Sequence, residues 1–388
     1  MSLRRARLCR IALLLPLSLA LGGADLAGGG LRQTDLVSDQ PQVAKHQDPN
    51  LVNAWGLAFL PTGPFWVADN ARGKLTLYLS NGDGFPTMPS SPLVVTVPTP
   101  SGVDGPSTPT GLVANTGPGF VVSGSGGSAP SLFITVTEDG TISGWSLSVD
   151  PLNAILKVDR SPQGAVYKGV ALASSNGATF LYATDFHNAQ VDMFDSSFQF
   201  VKSFTDPKLP PNFAPFGIAA IGGNLVVTFA KQALPEAHDD QAGPGNGIVD
   251  VFNPDGTLSR RLATGGALNS PWGLAVTPDG FPPFGHALLV GNFGDGRINA
   301  FDLRTGFPLG RLRDDSCKPI VIDGLWSLSF GNDFLAGEPD ILYFTAGPKD
   351  ESQGLFGKLK VAPRRCEDGQ DHGGNHGRGG DQGHMNGN

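Results

Sequence analysis

The stretch "NAWGLAFLPTGPFWVADNARGKLTLY", residues 53–78, reads as three short apolar strands joined by turns. "WGLAF" runs into a Pro-Thr-Gly-Pro turn, "FWVADN" ends in Asp69 and Asn70, and "KLTLY" follows. Its opening recurs as "TPTGLVAN" at 108, "VYKGVALA" at 166, "APFGIAAI" at 214, "SPWGLAVT" at 270 and "DGLWSLSF" at 323. Each copy has an aromatic, polar or Pro lead, then Gly, then an apolar strand. Gly56 is followed by Gly111, Gly169, Gly217 and Gly273, with Ser327 in the last copy, at spacings between about 48 and 58 residues. That period lies within the range of propeller blades once loops are counted.

The copies continue alike. A second strand appears as "LFITVTEDG", "FLYATDFHN", "LVVTFAKQ", "ALLVGNFGDG" and "ILYFTAGPKD", and a third as "TISGWSLS", "QVDMFD", "GIVDVFN", "RINAFDL" and "GLFGKLKV". Fourth strands such as "PLVVTVP", "AILKVDR", "FQFVKSF" and "LSRRLAT" complete several units. Short Val-, Ile-, Leu- and Phe-rich runs between Gly, Pro, Asn and Asp turns are the strand and hairpin signature, and no segment of helical period interrupts them. The pattern predicts an all-β fold, a six-bladed β-propeller of four-stranded antiparallel blades. The sixth unit stops after its third strand, near Val361, while the N-terminus holds a spare strand, "RQTDLVSD", at 32–39. The spare strand is expected to complete blade six and so remove an exposed edge. Glycine at each inner strand is expected to let neighbouring backbones approach. Trp55, Phe216, Trp272 and Trp326 beside it are expected to pack between blades, with lining a pocket mouth as the alternative.

Of 388 residues, 54 are Gly and 32 Pro, yet 40% are hydrophobic, so a large core can form. The net charge is −8, and no basic cluster follows the first ten residues, which excludes a nucleic-acid-binding face. "MSLRRARLCRIALLLPLSLALGGADLAGG" has the basic, apolar and small-residue regions of a secretory signal, assigned to residues 1–26. Its apolar run is too short to span a bilayer, so stable membrane insertion is not expected. The mature chain is expected to be a secreted or periplasmic monomer. It divides into one propeller domain, 32–361, and a disordered Gly/His/Asp-rich tail, 363–388. Once Cys9 leaves with the signal, Cys317 and Cys366 admit one pairing, with two free thiols as the alternative.

In a propeller the turns before the inner strands and those between second and third strands share one face. Asn53, Thr110, Glu138, Lys168, Lys231, Lys349 and Asp350 fall in these turns. The candidate ligand-binding residues there are Asp69, Asn70, Asp139, Asp185, His187, Asn188, Asn292 and Asp295. A ring of carboxylates and amides suits a hard cation, calcium or magnesium, with Asp69 and Asp185 as first candidates. Asp and Asn also close turns through their own backbone, so both readings stay open at each position. His187 is the one His in these turns. The excursion "AKQALPEAHDDQAGPGNG", 230–247, carries Glu236, His238, Asp239 and Asp240 and reads either as a lid over this face or as a solvated loop. No GxSxG, Walker, HExxH or paired CxxC motif occurs, so no catalytic residues are assigned.

Together "NAWGLAFLPTGPFWVADNARGKLTLY", "SPWGLAVTPDGF", "GNFGDGRINAFDLRTG" and "IDGLWSLSFGN" resemble an uncharacterised family of exported bacterial six-bladed β-propellers, some of whose members carry PEP-CTERM sorting signals. The likeness spans residues 32–361. The blades also resemble NHL repeats. This chain's tail has no PEP motif, apolar segment or basic end, so surface sorting is not implied. The resemblance implies fold and export and brings no catalytic residues. Two functions remain: a binding module using one propeller face for a protein, glycan or small molecule, or a divalent-metal-dependent hydrolase or lyase with its site at the channel mouth, similar to gluconolactonase-like and streptogramin-lyase propellers.

Overall fold

A computed structural model describes residues 29–88, 91–363 and 365. The expected signal lies outside these residues, as does the tail apart from Pro363 and Arg365. Six blades of four antiparallel strands follow one another around an axis, the last extended by the two-residue strand His46–Gln47, which runs parallel to its outermost strand. Blade one comprises Ala54–Ala58, Phe65–Asp69, Lys74–Tyr78 and Val94–Thr96, innermost strand first. Blades two to five begin at Pro109–Ala114, Tyr167–Ser175, Phe213–Ile221 and Pro271–Val276. Blade six is built from Leu325–Phe330, Leu342–Ala346 and Leu355–Ala362, and its fourth strand is the N-terminal Gly30–Ser38. That strand runs antiparallel to Leu355–Ala362, with Leu31 opposite Val361 and Ser38 opposite Leu355. Ring closure by the spare strand is therefore as the count of strands required.

The middle strands are apolar without alternation because both of their faces are buried. Val226 packs into the cluster between blades four and five, and Val227 into the cluster between three and four. Leu181 and Tyr182 divide in the same way between the two neighbours of blade three. Six such clusters, one per blade interface, make up the core.

Near the axis the inner strands touch through backbone. A Cβ on Gly56 would lie 2.4 Å from the Thr110 carbonyl oxygen, and one on Gly217 would lie 2.1 Å from that of Trp272. No side chain fits there, so glycine is obligatory. Threonines on second strands fasten the same seam. Thr184 accepts from Gly169 N at 2.7 Å and donates to the Phe216 carbonyl of the next blade at 2.8 Å. Thr345 does likewise between Ser327 N and the Trp55 carbonyl, across the join of last blade to first. Among the described residues no helix is long and apolar enough to cross a membrane.

Deleting residues 29–38 strips Leu31, Leu36 and Val37 from the core, all at most 2% exposed. At about 1.5–3 kcal/mol per buried aliphatic side chain, the loss should be about 5 kcal/mol or more, read as a large fall in melting temperature. Gly217→Ala should cost about 2–3 kcal/mol in denaturant unfolding through overpacking. Gly63→Ala, where the nearest atom is 3.4 Å away, should cost under about 0.5 kcal/mol.

Candidate functional site

The residues preceding the blade glycines, and Ser327 in blade six, are Trp55, Thr110, Lys168, Phe216, Trp272 and Trp326. They converge at one end of the channel. The rings meet one another there rather than packing between blades, a correction to the sequence reading. Trp55 and Trp326 stack with centroids 3.5 Å apart, Trp272 stands edge-on to both at about 6 Å, and Phe293 covers the other face of Trp326 at 4.0 Å. Equivalent positions on six inner strands all project toward the axis at this end, so six side chains must share one small cross-section. The result is an aromatic plug.

Thr110 and Lys168 break the aromatic series, and Lys168 alone brings a charge. Its side chain is 3% exposed, and its ammonium lies 5.3 Å from the Trp55 centroid and 5.7 Å from that of Phe186. A buried ammonium needs an anionic partner, and Glu138, from the second turn of blade two, accepts its hydrogen bond. Burial works against the charged lysine, but the Glu138 carboxylate outweighs it and holds the Lys168 pKa above the ordinary value.

The network extends from this pair. Asn70 Nδ2 donates to Glu138 Oε2 at 2.8 Å, and Asn53 Nδ2 donates to Asn70 Oδ1 at 3.2 Å and to Glu351 Oε2 at 2.6 Å. Trp326 Nε1 donates to Asn53 Oδ1 at 3.0 Å, and Trp272 Nε1 donates to the Lys168 carbonyl at 3.3 Å. Burial is the main force pushing the Glu351 carboxyl up to about 7; the bond from Asn53 opposes it and the charge of Glu138 adds to it.

The 230–247 excursion folds over this cluster. Gln232 Nε2 donates to the Phe186 carbonyl at 2.7 Å, and His187 Nδ1 lies 3.0 Å from the Glu236 carbonyl, tying the excursion to blade three. Asp239 then sits 3.7 Å from the Lys168 ammonium and 2.9 Å from His238 Nδ1. That bond raises the His238 pKa and lowers that of Asp239. Burial raises the Asp240 carboxyl, whose Oδ2 has no hydrogen-bond partner among the described residues. Ligand atoms of Glu138, His238 and Asp239 lie within 4.8 Å of one another, a group able to hold a metal ion.

Of the eight candidate residues from sequence, Asn70 is in the network and His187 anchors the excursion. Asp185 accepts from Val166 N, Asn188 N and Asn188 Nδ2 at 2.8–3.2 Å, so it and Asn188 close their own turn. Asp139 accepts from Thr108 N at 2.8 Å, while Asn292 bonds Asp295 at 3.0 Å and Asp295 pairs with Arg297 at 2.8 Å. Asp69 is fully buried with neither oxygen hydrogen-bonded to a described residue, and burial raises its pKa well above the carboxylate range. Glu351 escaped the sequence reading, which stopped at Asp350. Three consecutive left-handed residues, Lys349, Asp350 and Glu351, carry the chain there, and only the folded backbone shows it. Lys168 had a legible signal, a lysine where four of the other five blades carry aromatics.

Replacing Lys168 by Met should cost about 3–5 kcal/mol in urea unfolding, because Glu138 loses its counter-charge. The double variant with Glu138→Gln should lose clearly less than the sum of the single changes.

No protein-family model matches the chain. It is 33% identical over 335 residues to uncharacterized protein L690 of Acanthamoeba polyphaga mimivirus, covering 84% of each. Uncharacterized protein R648 of the same virus is 32% identical over 335 residues, covering 84% of this chain and 78% of the relative. Among solved structures, a glucose dehydrogenase superposes with a TM-score of 0.52 at 14% identity, covering 85% of this chain and 100% of that one. The soluble aldose sugar dehydrogenase of Escherichia coli in its apo form gives 0.51 at 14% identity, covering 86% and 100%. Such identities show a shared fold alone.

Proposed function

We propose a function for a chain that belongs to the family of the mimivirus proteins L690 and R648: it is a binding module whose acidic channel mouth takes a positively charged group, carried by a small molecule or a protein segment. The observation that supports this is the charge balance. Glu138, Asp239, Asp240 and Glu351 act on one another and on a single ammonium, Lys168. The carboxylates outnumber the cationic groups even when His238, which bonds Asp239, is protonated, and the raised Glu351 pKa means the cluster already holds part of a proton at neutral pH. A cationic ligand would take that proton's place.

A second reading, divalent-metal binding with hydrolase or lyase chemistry, has one observation in its favour, the grouping of Glu138, His238 and Asp239. Against it stands Lys168, an ammonium already bonded to Glu138, which a divalent ion would have to meet at close range. Export is also part of the proposal. Cys317 is disulfide-bonded, as suits an oxidising compartment. Cys366 is the proposed partner, since Arg365 donates its backbone N–H to the carbonyl of Asp315, two residues from Cys317.

Calorimetric titration with spermidine, and separately with calcium and magnesium chloride, tests both readings. Binding favours ionised Glu351, so affinity for spermidine should rise as pH increases through about 7. Glu351→Gln should weaken binding at pH 8 and flatten the profile between about pH 6 and 8. The protonated Glu351 is the form stabilised by folding, and that stability is lost as pH rises through about 7. The same variant should therefore unfold at higher temperature than the native chain at pH 8, with little difference near pH 4. Absence of spermidine binding at pH 8 would sink the main reading; calcium or magnesium binding that Asp239→Asn removes would favour the metal.

A further inference from the structure

Beneath the aromatic plug runs the central channel, which the mouth network does not use. It is a cavity of about 320 Å³ contributed by the inner strands of all six blades. The residue after each blade glycine, or after Ser327, lines it: Leu57, Leu112, Val170, Ile218, Leu274 and Leu328. The six equivalent positions are aliphatic without exception, although Leu57, Ile218 and Leu274 are only partly buried. Among the described residues Ser327 and Ser329 supply the hydroxyl side chains of the lining, and no charged side chain reaches it. Trp272 lines the end beneath the mouth. At the other end the lining merges through Ala219, Ala220, Leu274 and Leu328 into a second cavity of about 450 Å³, rimmed by Phe59, Ile221, Val276 and Phe330.

Apolar side chains thus run from the open end to the plug, set in a wall that exposed backbone makes polar in part. Leu57, Ile218 and Leu274 keep apolar surface in contact with the channel from three of the blades, an arrangement that favours an apolar occupant. The polar part of the wall is backbone. Each inner strand pairs only with the second strand of its blade, so its other edge is left free toward the axis. A volume of a few hundred Å³ with apolar walls and a few backbone donors and acceptors has the proportions of a small-molecule site.

We infer that the channel is a binding site for an unbranched apolar chain, such as the acyl tail of a fatty acid or alcohol, which enters from the face opposite the mouth with its chain directed toward the plug. This site takes a ligand of different chemistry through a different opening, so it stands independently of the cation reading.

The test uses the full folded chain stripped of bound lipid by hydrophobic chromatography, with lauric acid and dodecanol as probes. Trp272 at the closed end serves as the reporter. Saturable quenching or shift of tryptophan emission at a one-to-one ratio is expected with both probes, and each should displace cis-parinaric acid. Ala219 lines both cavities and is partly exposed, so Ala219→Trp narrows the passage without filling core. It should weaken both probes at least tenfold, and Ser329→Phe is the second blocking variant should the first not fold. Glu351→Gln should leave probe affinity unchanged while altering spermidine binding, which separates failure of one site from failure of the other. No saturable binding of either probe, or binding that a folded blocking variant leaves intact, would overturn the inference.

Discussion

The fold depends on how closely six inner strands can crowd around one axis. At five of the six seams a glycine faces the backbone of the next blade too closely for a methyl group, as at Gly56 against Thr110, Gly217 against Trp272 and Gly273 against Trp326, and Ser327 stands at the sixth. A threonine hydroxyl from the second strand then joins the two inner strands at several seams. Once these approaches are set, the second and third strands of neighbouring blades are brought face to face, and the six interfacial clusters fill the space between them. Ring closure by Gly30–Ser38 removes the free edge that blade six would otherwise present.

The same constraint generates both the mouth and the channel. Residues before the glycine meet over the axis at one end, and residues after it line the channel below. Aromatic side chains fill the first ring and aliphatic ones the second. Lys168 disturbs the first ring, and the rest of the mouth follows from that disturbance. A buried ammonium requires Glu138, Glu138 receives Asn70, and Asn70 links through Asn53 to Glu351 and Trp326. Groups far apart in the chain come into one network because every blade delivers its turns to the same face.

Much of this architecture was legible in the chain. Blade number, the missing fourth strand and the role of the glycines all follow from a repeat, since a repeated sequence must satisfy the same packing six times. The excursion with His238 and Asp239 could be singled out because it breaks that repeat. The placement of the aromatic rings could not. Periodicity shows that Trp55, Phe216, Trp272 and Trp326 occupy equivalent positions, but whether such positions face a neighbour or the axis depends on strand tilt. Asp69 and Asn70 show the same limit over one residue. They are adjacent in "FWVADN", yet Asp69 is sealed within the core while Asn70 bonds Glu138 at the mouth.

Sequence by itself determined the six-bladed ring, its closure by the N-terminal strand and the glycines at five of the six seams, because these rest on local pattern and on counting strands. Tertiary structure alone decided which polar groups act together. Glu138, Lys168, Glu351 and Asp239 come from different turns with no shared motif, and their spacing along the chain carries no information about their distance in space. Their charges are coupled because ring closure brings distant turns within a few ångströms, with Lys168 and Glu138 largely shielded from water and Asp239 at their exposed edge, where an ammonium and its nearest carboxylate can no longer be screened apart.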